Sequence, residues 1–341
     1  VTFPITETLA KSARHASFYL ACGPQGGPPI IFIHGWPELS ISWRHQLPAF
    51  AALGFRAIAP DMRGYGRSSQ YERHEDYAVE AIVADMIELL DHLGRETAIW
   101  VGHDWGSPVV WSLASHHPDR CLGVANLCVP YIPAGFSPDN LIPLVDRALY
   151  PEADYPAGQW DYMRFYQENF EAARAGFEAN IPATVKLLFR AGNPAGVEQP
   201  APTAMVRKNG GWFGGGGAPD LPMDTSVLTE EDFHKYAAAL ERTGFFGPDS
   251  WYMNADRNVA YAAGAKAGGK VDMPVLFLHG AYDSVCMTLG TALADPMRGA
   301  CADLTEVTVQ SGHWMAQEKP VAVNAALTRW LAVKFPLLWA R

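Results

Sequence analysis

Residues 97–114 constrain the fold of this chain more than any other stretch. Thr97 to Val101 reads as a short buried strand, and Gly102-His103-Asp104-Trp105-Gly106 follows at once. Val109, Val110, Leu113 and Ala114 then continue at helical spacing. A strand that turns into a helix within five residues needs small flanking residues and forces the central side chain outward. The same alternation recurs along the chain. Ile30–Ile33, Phe55–Ala59 and Gly123–Cys128 read as further strands, as do Pro274–Leu278 and Glu306–Val309 nearer the end. Between them, Val79, Ile82, Val83, Met86, Leu89, Leu90 and Leu93 mark a helix that Gly94 ends, leaving Glu80, Asp85, Glu88 and Asp91 for water. A last helix spans about Val321 to Phe335. Strands alternating with helices predict the α/β class, a mostly parallel sheet with helices on both faces.

The middle of the chain breaks this rhythm. From Tyr131 to Asp256 there is no parallel-type strand, but there are many aromatics and helical patterns at Trp160–Arg174 and Glu230–Thr243. The predicted organisation is therefore a core from residues 1–130 and 257–341, interrupted by a helical lid at 131–256. The glycine run Asn209–Gly217 reads as a solvated connection or a flap. It neither follows a strand nor opens a helix, so no dinucleotide site is indicated.

Composition narrows the function classes. Lys and Arg number 26 against 36 Asp and Glu, a net charge of −10 that disfavours nucleic acid or an anionic membrane as partner. No apolar run approaches the roughly 18 residues that span a bilayer. Five scattered cysteines without a CxxC pair fit neither a disulfide scaffold nor a zinc site, and suit a cytoplasmic protein. The first fifteen residues lack the apolar centre of a signal peptide, although the start at Val1 leaves a removed leader open. A monomer or homodimer is expected.

Asp104 stands where a nucleophile elbow ordinarily carries serine. A helix N-cap explains an isolated Asp, but the preceding strand and flanking glycines favour the elbow. A carboxylate is ionised at neutral pH without a general base. Its attack on an acyl carbon would give an unhelpful anhydride, whereas displacement at a saturated carbon gives an alkyl ester that water can cleave. The expected substrate is an alkyl electrophile such as an epoxide or alkyl halide. Cleaving the ester needs a base, and His313 in Gly312-His313-Trp314 follows the strand at Glu306–Val309. Asp283 in Gly280-Ala281-Tyr282-Asp283 follows the preceding strand and would orient it; Asp295 and Asp303 are weaker alternatives. The order Asp104, Asp283, His313 is nucleophile, acid, base. Backbone N–H groups of Trp36, in His34-Gly35-Trp36-Pro37, and of Trp105 would hold the oxyanion.

These motifs, together with Glu38 and Asp61-Met-Arg-Gly-Tyr-Gly-Arg-Ser68, resemble the α/β-hydrolase fold epoxide hydrolases over nearly the whole chain. Haloalkane and haloacid dehalogenases share several of them and form the alternative. The lid separates the two. Asp161-Tyr162-Met-Arg-Phe-Tyr-Gln-Glu168 and Gly247-Pro248-Asp-Ser-Trp251-Tyr252 resemble the lid motifs that carry this family's two tyrosines. Lys186–Arg190 and Gly210–Phe213 also resemble the lid. The resemblance implies that Tyr162 and Tyr252 donate to the epoxide oxygen, with Tyr166 as substitute for Tyr162 one helical turn away. It also implies a pocket bordered by His34, Pro37, His103, Trp251 and Trp314, a reaction of epoxide with water, and no cofactor or metal. Trp36 stands where the family often has Phe.

Overall fold

The computed structural model describes residues 3–338, so Val1 and any leader before it lie outside the described residues. Its strands are β1 (Thr6–Lys11), β2 (Ala16–Cys22), β3 (Pro29–Ile33), β4 (Arg56–Pro60), β5 (Ala98–His103), β6 (Cys121–Leu127), β7 (Val271–Gly280) and β8 (Cys301–Val309). β3 and β5 are buried along their whole length, and β4 and β6 nearly so, as their apolar runs require. All pair into one sheet in the order β1-β2-β4-β3-β5-β6-β7-β8. From β4 to β8 every pairing is parallel, while β1 and β2 add an antiparallel edge. That edge hairpin is absent from the sequence reading. Five of the six β1 residues are exposed or half-buried, so β1 carries no apolar run; its ladder to β2 makes it a strand.

The helix Val79–His92 buries Val79, Ile82, Val83, Met86, Leu89 and Leu90 as its spacing predicts. Asp85 does not face water, however. It is 1% exposed and takes a paired contact from Arg63 at 2.7 and 2.8 Å and another from Arg14 at 2.6 Å. A carboxylate flanked by two guanidiniums tolerates burial, a partnership that helical periodicity cannot reveal.

Among the described residues no strand lies between Leu127 and Val271. The inserted cap there is helical, with helices Asp161–Glu178, Ile181–Leu188, Glu230–Thr243, Phe246–Ser250 and Ala255–Ala263. The first runs four residues beyond its predicted end and is broken at Asn169, whose φ of −143° and ψ of 48° are not helical. Thr229 and Asp232 start the helix Glu230–Thr243 with a reciprocal capping box. No described helix is long and apolar enough to cross a membrane. All five cysteines are free.

The helix Gly106–His116 packs directly on the C-terminal end of β3. A Cβ at Gly106 would lie 2.2 Å from the Ile33 carbonyl oxygen, and one at Gly102 would lie 2.7 Å from both the Gly106 oxygen and Asn126 Oδ1. The flanking glycines of the turn are therefore demanded by close backbone approach. Gly106→Ala is expected to cost about 3 kcal/mol or more, because backbone atoms must separate. Gly26→Ala, where an added Cβ meets nothing within 4 Å, is expected to leave the melting temperature within about 1 °C. Equal melting temperatures for the two variants would refute the packing argument.

Candidate active site

Asp104 sits between β5 and the helix Gly106–His116 with φ of +49°, the left-handed region, so its carboxylate projects from the end of the sheet. The loop after β3 runs alongside. Gly35 permits the approach: a side chain there would come within 2.4 Å of Asp104 Oδ1 and 2.6 Å of the Trp105 nitrogen. The Trp36 backbone N–H donates to Asp104 Oδ1 at 2.6 Å.

The other two chemical groups follow the last two strands. Asp283 lies just beyond β7, with Oδ1 accepting from the N–H groups of Val285 and Cys286 at 3.0 and 2.9 Å. Its Oδ2 pairs with His313 Nδ1 at 2.7 Å. Burial works to raise the Asp283 pKa, but His313 and the two backbone donors outweigh it and bring it down to about 2. His313 Nε2 stands 3.3 Å from Asp104 Oδ2. Burial disfavours the imidazolium, but Asp283 and Asp104 overcome it and hold His313 well above its ordinary value. Two carboxylates and the imidazole between them are thus joined in one line.

A cavity of about 200 Å³ opens over Asp104 and His313. Tyr162 and Tyr252 come down to it from the cap with ring centroids 5.7 Å apart, and Trp36, Trp105, Trp212 and Trp314 form much of its wall. Burial, followed by neighbouring charges that include Asp104, keeps both tyrosine hydroxyls protonated. Tyr166 is buried behind them, stacked on Tyr252 at 4.3 Å, and does not line the cavity.

Of the five residues expected to border the pocket, Trp314 lines it. His34, Pro37, His103 and Trp251 do not, and three of them have identifiable duties behind the wall. His34 Nε2 accepts from the Met62 N–H at 2.9 Å, and the Trp251 indole donates to the Arg63 carbonyl at 3.1 Å. His103 lies 2.7 Å from Glu38 Oε2 through Nδ1 and 2.7 Å from the His313 carbonyl oxygen through Nε2. A carbonyl only accepts, so Nε2 donates; mutual attraction lowers Glu38 and raises His103, which favours a carboxylate accepting from Nδ1 of an imidazolium. Glu38 appeared in the sequence only as part of a motif; nothing in its spacing announces a buried partner 65 residues away.

Two groups here carry metal-ligand side chains within 4.8 Å of one another: His103, Cys128 and His313, and Asp283, Cys286 and His313. Their imidazole and carboxylate atoms already hold protein partners, which fits a hydrogen-bonded network better than a metal centre.

The Glu38–His103 pair sets a pH window. Burial opposes both charges, yet their mutual attraction lowers Glu38 to about 2 and raises His103 to about 10. Stability from His103 is complete below its ordinary value of 6.5 and is lost as pH rises through about 10; stability from Glu38 is complete above 4.5 and is lost as pH falls through about 2. The melting-temperature deficit of His103→Gln is therefore expected to be largest between those ordinary values and to shrink steadily toward pH 10. A deficit independent of pH would refute the ion pair.

Residues 28–320 match the family described as alpha/beta hydrolase fold. The chain is 35% identical to epoxide hydrolase A of Mycobacterium tuberculosis, over 96% of this chain and 97% of that protein. It is 36% identical to the bifunctional epoxide hydrolase 2 of Sus scrofa over 89% of this chain, but spans only 51% of that longer protein. The crystal structure of epoxide hydrolase A from Mycobacterium thermoresistibile superposes with a TM-score of 0.80 at 34% identity, covering 96% of this chain and 98% of that one. With this sheet, this inserted cap and these relatives, the chain belongs to the α/β-hydrolase fold epoxide hydrolases.

Proposed function

We propose that the chain converts epoxides to vicinal diols with water as the only co-reactant. The observation that carries this reading is the convergence of the Asp104 carboxylate and the Tyr162 and Tyr252 hydroxyls on one largely apolar cavity. Asp104 Oδ2 attacks a ring carbon from one side while a tyrosine donates to the departing ring oxygen from the other, breaking the C–O bond and leaving an alkyl ester and a hydroxyl. Asp104 Oδ1, already under the Trp36 N–H, becomes the ester carbonyl oxygen, and the Trp105 N–H joins it as charge develops.

Ester formation itself readies the base. Once Asp104 is esterified its charge is gone, the support it gave the imidazolium disappears, and the His313 pKa falls. His313 then takes a proton from water, held in orientation by Asp283, and the water oxygen attacks the ester carbon. Collapse breaks the acyl C–O bond; of the two protons water brought, the one on His313 passes to the departing alkoxide and the one on the new carboxyl returns to the tyrosine, directly or through solvent, which releases the diol and restores the Asp104 carboxylate. Epoxide plus water equals diol, so the cycle closes without a cofactor.

A haloalkane or haloacid dehalogenase would use the same Asp104 but needs N–H donors for the departing halide. Trp105, the first such donor, lines the cavity, while the Trp36 indole N–H is taken by Asp249 Oδ1 at 2.8 Å; what favours the epoxide reading is the pair of tyrosines over Asp104. In this proposal residues 1–130 and 257–341 supply the nucleophile, base and oxyanion donors, and the lid at 131–256 supplies the tyrosines. One chain contributes every group, so a monomer or homodimer serves equally. Free cysteines suit a cytoplasmic, reducing location.

A paired assay tests the function: racemic styrene oxide scored for diol, and 1-bromobutane scored for bromide. Diol without bromide is expected; bromide without diol would overturn the proposal. Asp104→Ala is expected to abolish turnover, and His313→Ala to accumulate an ester visible as the enzyme mass plus that of the epoxide. Tyr162→Phe and Tyr252→Phe are each expected to slow ring opening by about 10²-fold.

A further inference from the structure

Asp249 is fully buried in the cap helix Phe246–Ser250, yet no step above uses it. Its Oδ1 accepts the Trp36 indole N–H at 2.8 Å. Its Oδ2 meets no partner in hydrogen-bond geometry, and neither does the buried Tyr166 hydroxyl with which the carboxyl interacts. Burial holds the acid protonated, well above the usual carboxylate range, so it presents one acceptor oxygen and one O–H.

The partner makes this contact unusual. The segment 249–254 is tied to the core at several points: Ser250 to His74, Trp251 to the Arg63 carbonyl, and Asn254 to the His74 carbonyl. Only the Asp249 contact, among these, ends on a residue that also touches the nucleophile. Trp36 donates its backbone N–H to Asp104 and its indole N–H to Asp249, and Asp249 lies three residues before Tyr252. A single residue, through its backbone and its indole, therefore spans from the attacking carboxylate to the turn that carries a proton donor. The Trp36 ring also packs edge-on against Tyr252 at 6.1 Å.

We propose that Asp249 is a positioning residue: by accepting the Trp36 indole N–H it fixes the lid tyrosines relative to Asp104, so that attack and proton donation coincide. Nucleophile and acid come from separate parts of the chain, and misplacement of reacting groups by about 1 Å can cost 10²-fold in rate. Ester hydrolysis has no such need. Asp104, His313 and Asp283 all belong to the core, and the backbone at Gly35–Trp36 is held from its other side, where the Gly35 N–H donates to Glu38 at 2.9 Å and the Glu38 N–H to the Gly35 carbonyl at 2.9 Å.

The inference rests on the epoxide-opening reading and is tested by single-turnover rapid quench with styrene oxide, following the ester by mass spectrometry. Asp249→Leu is expected to slow ester formation by at least about tenfold and to leave ester hydrolysis within about twofold. Asp249→Asn, which keeps an acceptor for Trp36 and a donor toward Tyr166, is expected to restore ester formation to within about twofold of wild type. Trp36→Phe removes the donor and is expected to repeat the step-selective loss, with the Asp249→Leu/Trp36→Phe double variant no slower than the worse single one. It also decides the matter if Asp249→Leu does not fold. Equal slowing of both steps, unaltered ester formation, or losses that multiply in the double variant would overturn the role. A wild type that forms neither ester nor diol would instead overturn the epoxide reading itself.

Discussion

The hydrogen bond from the Trp36 backbone N–H to Asp104 is the contact around which the rest of the molecule is arranged. It requires the loops after two neighbouring parallel strands to meet with no side chain between them. β3 and β5 bring the loops side by side in the sheet, Gly35 removes the obstacle on one loop, and Gly106 lets the following helix rest on the end of β3. Every other functional group is placed relative to that junction. Asp283 and His313 reach it from the loops after β7 and β8, beyond β6 in the sheet, Glu38 and His103 clamp it from beneath, and the cap brings tyrosines over it.

Within this small volume, acids meet different fates according to what faces them. Asp283 and Glu38 are as buried as Asp249, but each has an imidazolium and backbone donors and stays ionised. Asp249 has an indole and a phenol, neither of which carries positive charge, and burial keeps its proton in place. One residue type therefore serves as an orienting anion or as a neutral hydrogen-bonding group, and the partner decides which.

Much of the architecture was legible because burial leaves periodic traces. The apolar runs at Ile30–Ile33 and Pro274–Leu278, and the spacing from Val79 to Leu90, report directly which residues meet the core. The elbow was legible because close backbone approach demands glycine at fixed places. What escaped are features owed to partners distant in sequence. β1 is a strand by virtue of β2, and Asp85 is buried by virtue of Arg14 and Arg63. The resemblance places His103 at the pocket, yet consecutive residues in a sharp turn point apart, and its ring goes to Glu38. Asp249 stood in a motif beside Trp251 and Tyr252 with nothing to mark it, since its significance arises from an indole 213 residues away.

The backbone of Asp104 has a bearing on the history such a chain can have. Its φ of +49° lies where glycine rests freely and an ordinary side chain costs about 1–2 kcal/mol. Glycine would release that strain but would leave the Trp36 N–H without its acceptor, so the backbone and the hydrogen bond pull the position in opposite directions. Asparagine reconciles them, because it tolerates this backbone and keeps an oxygen for the N–H, yet its amide is no nucleophile. Folding therefore holds the shape of the side chain at the elbow, and only use distinguishes the acid from its amide.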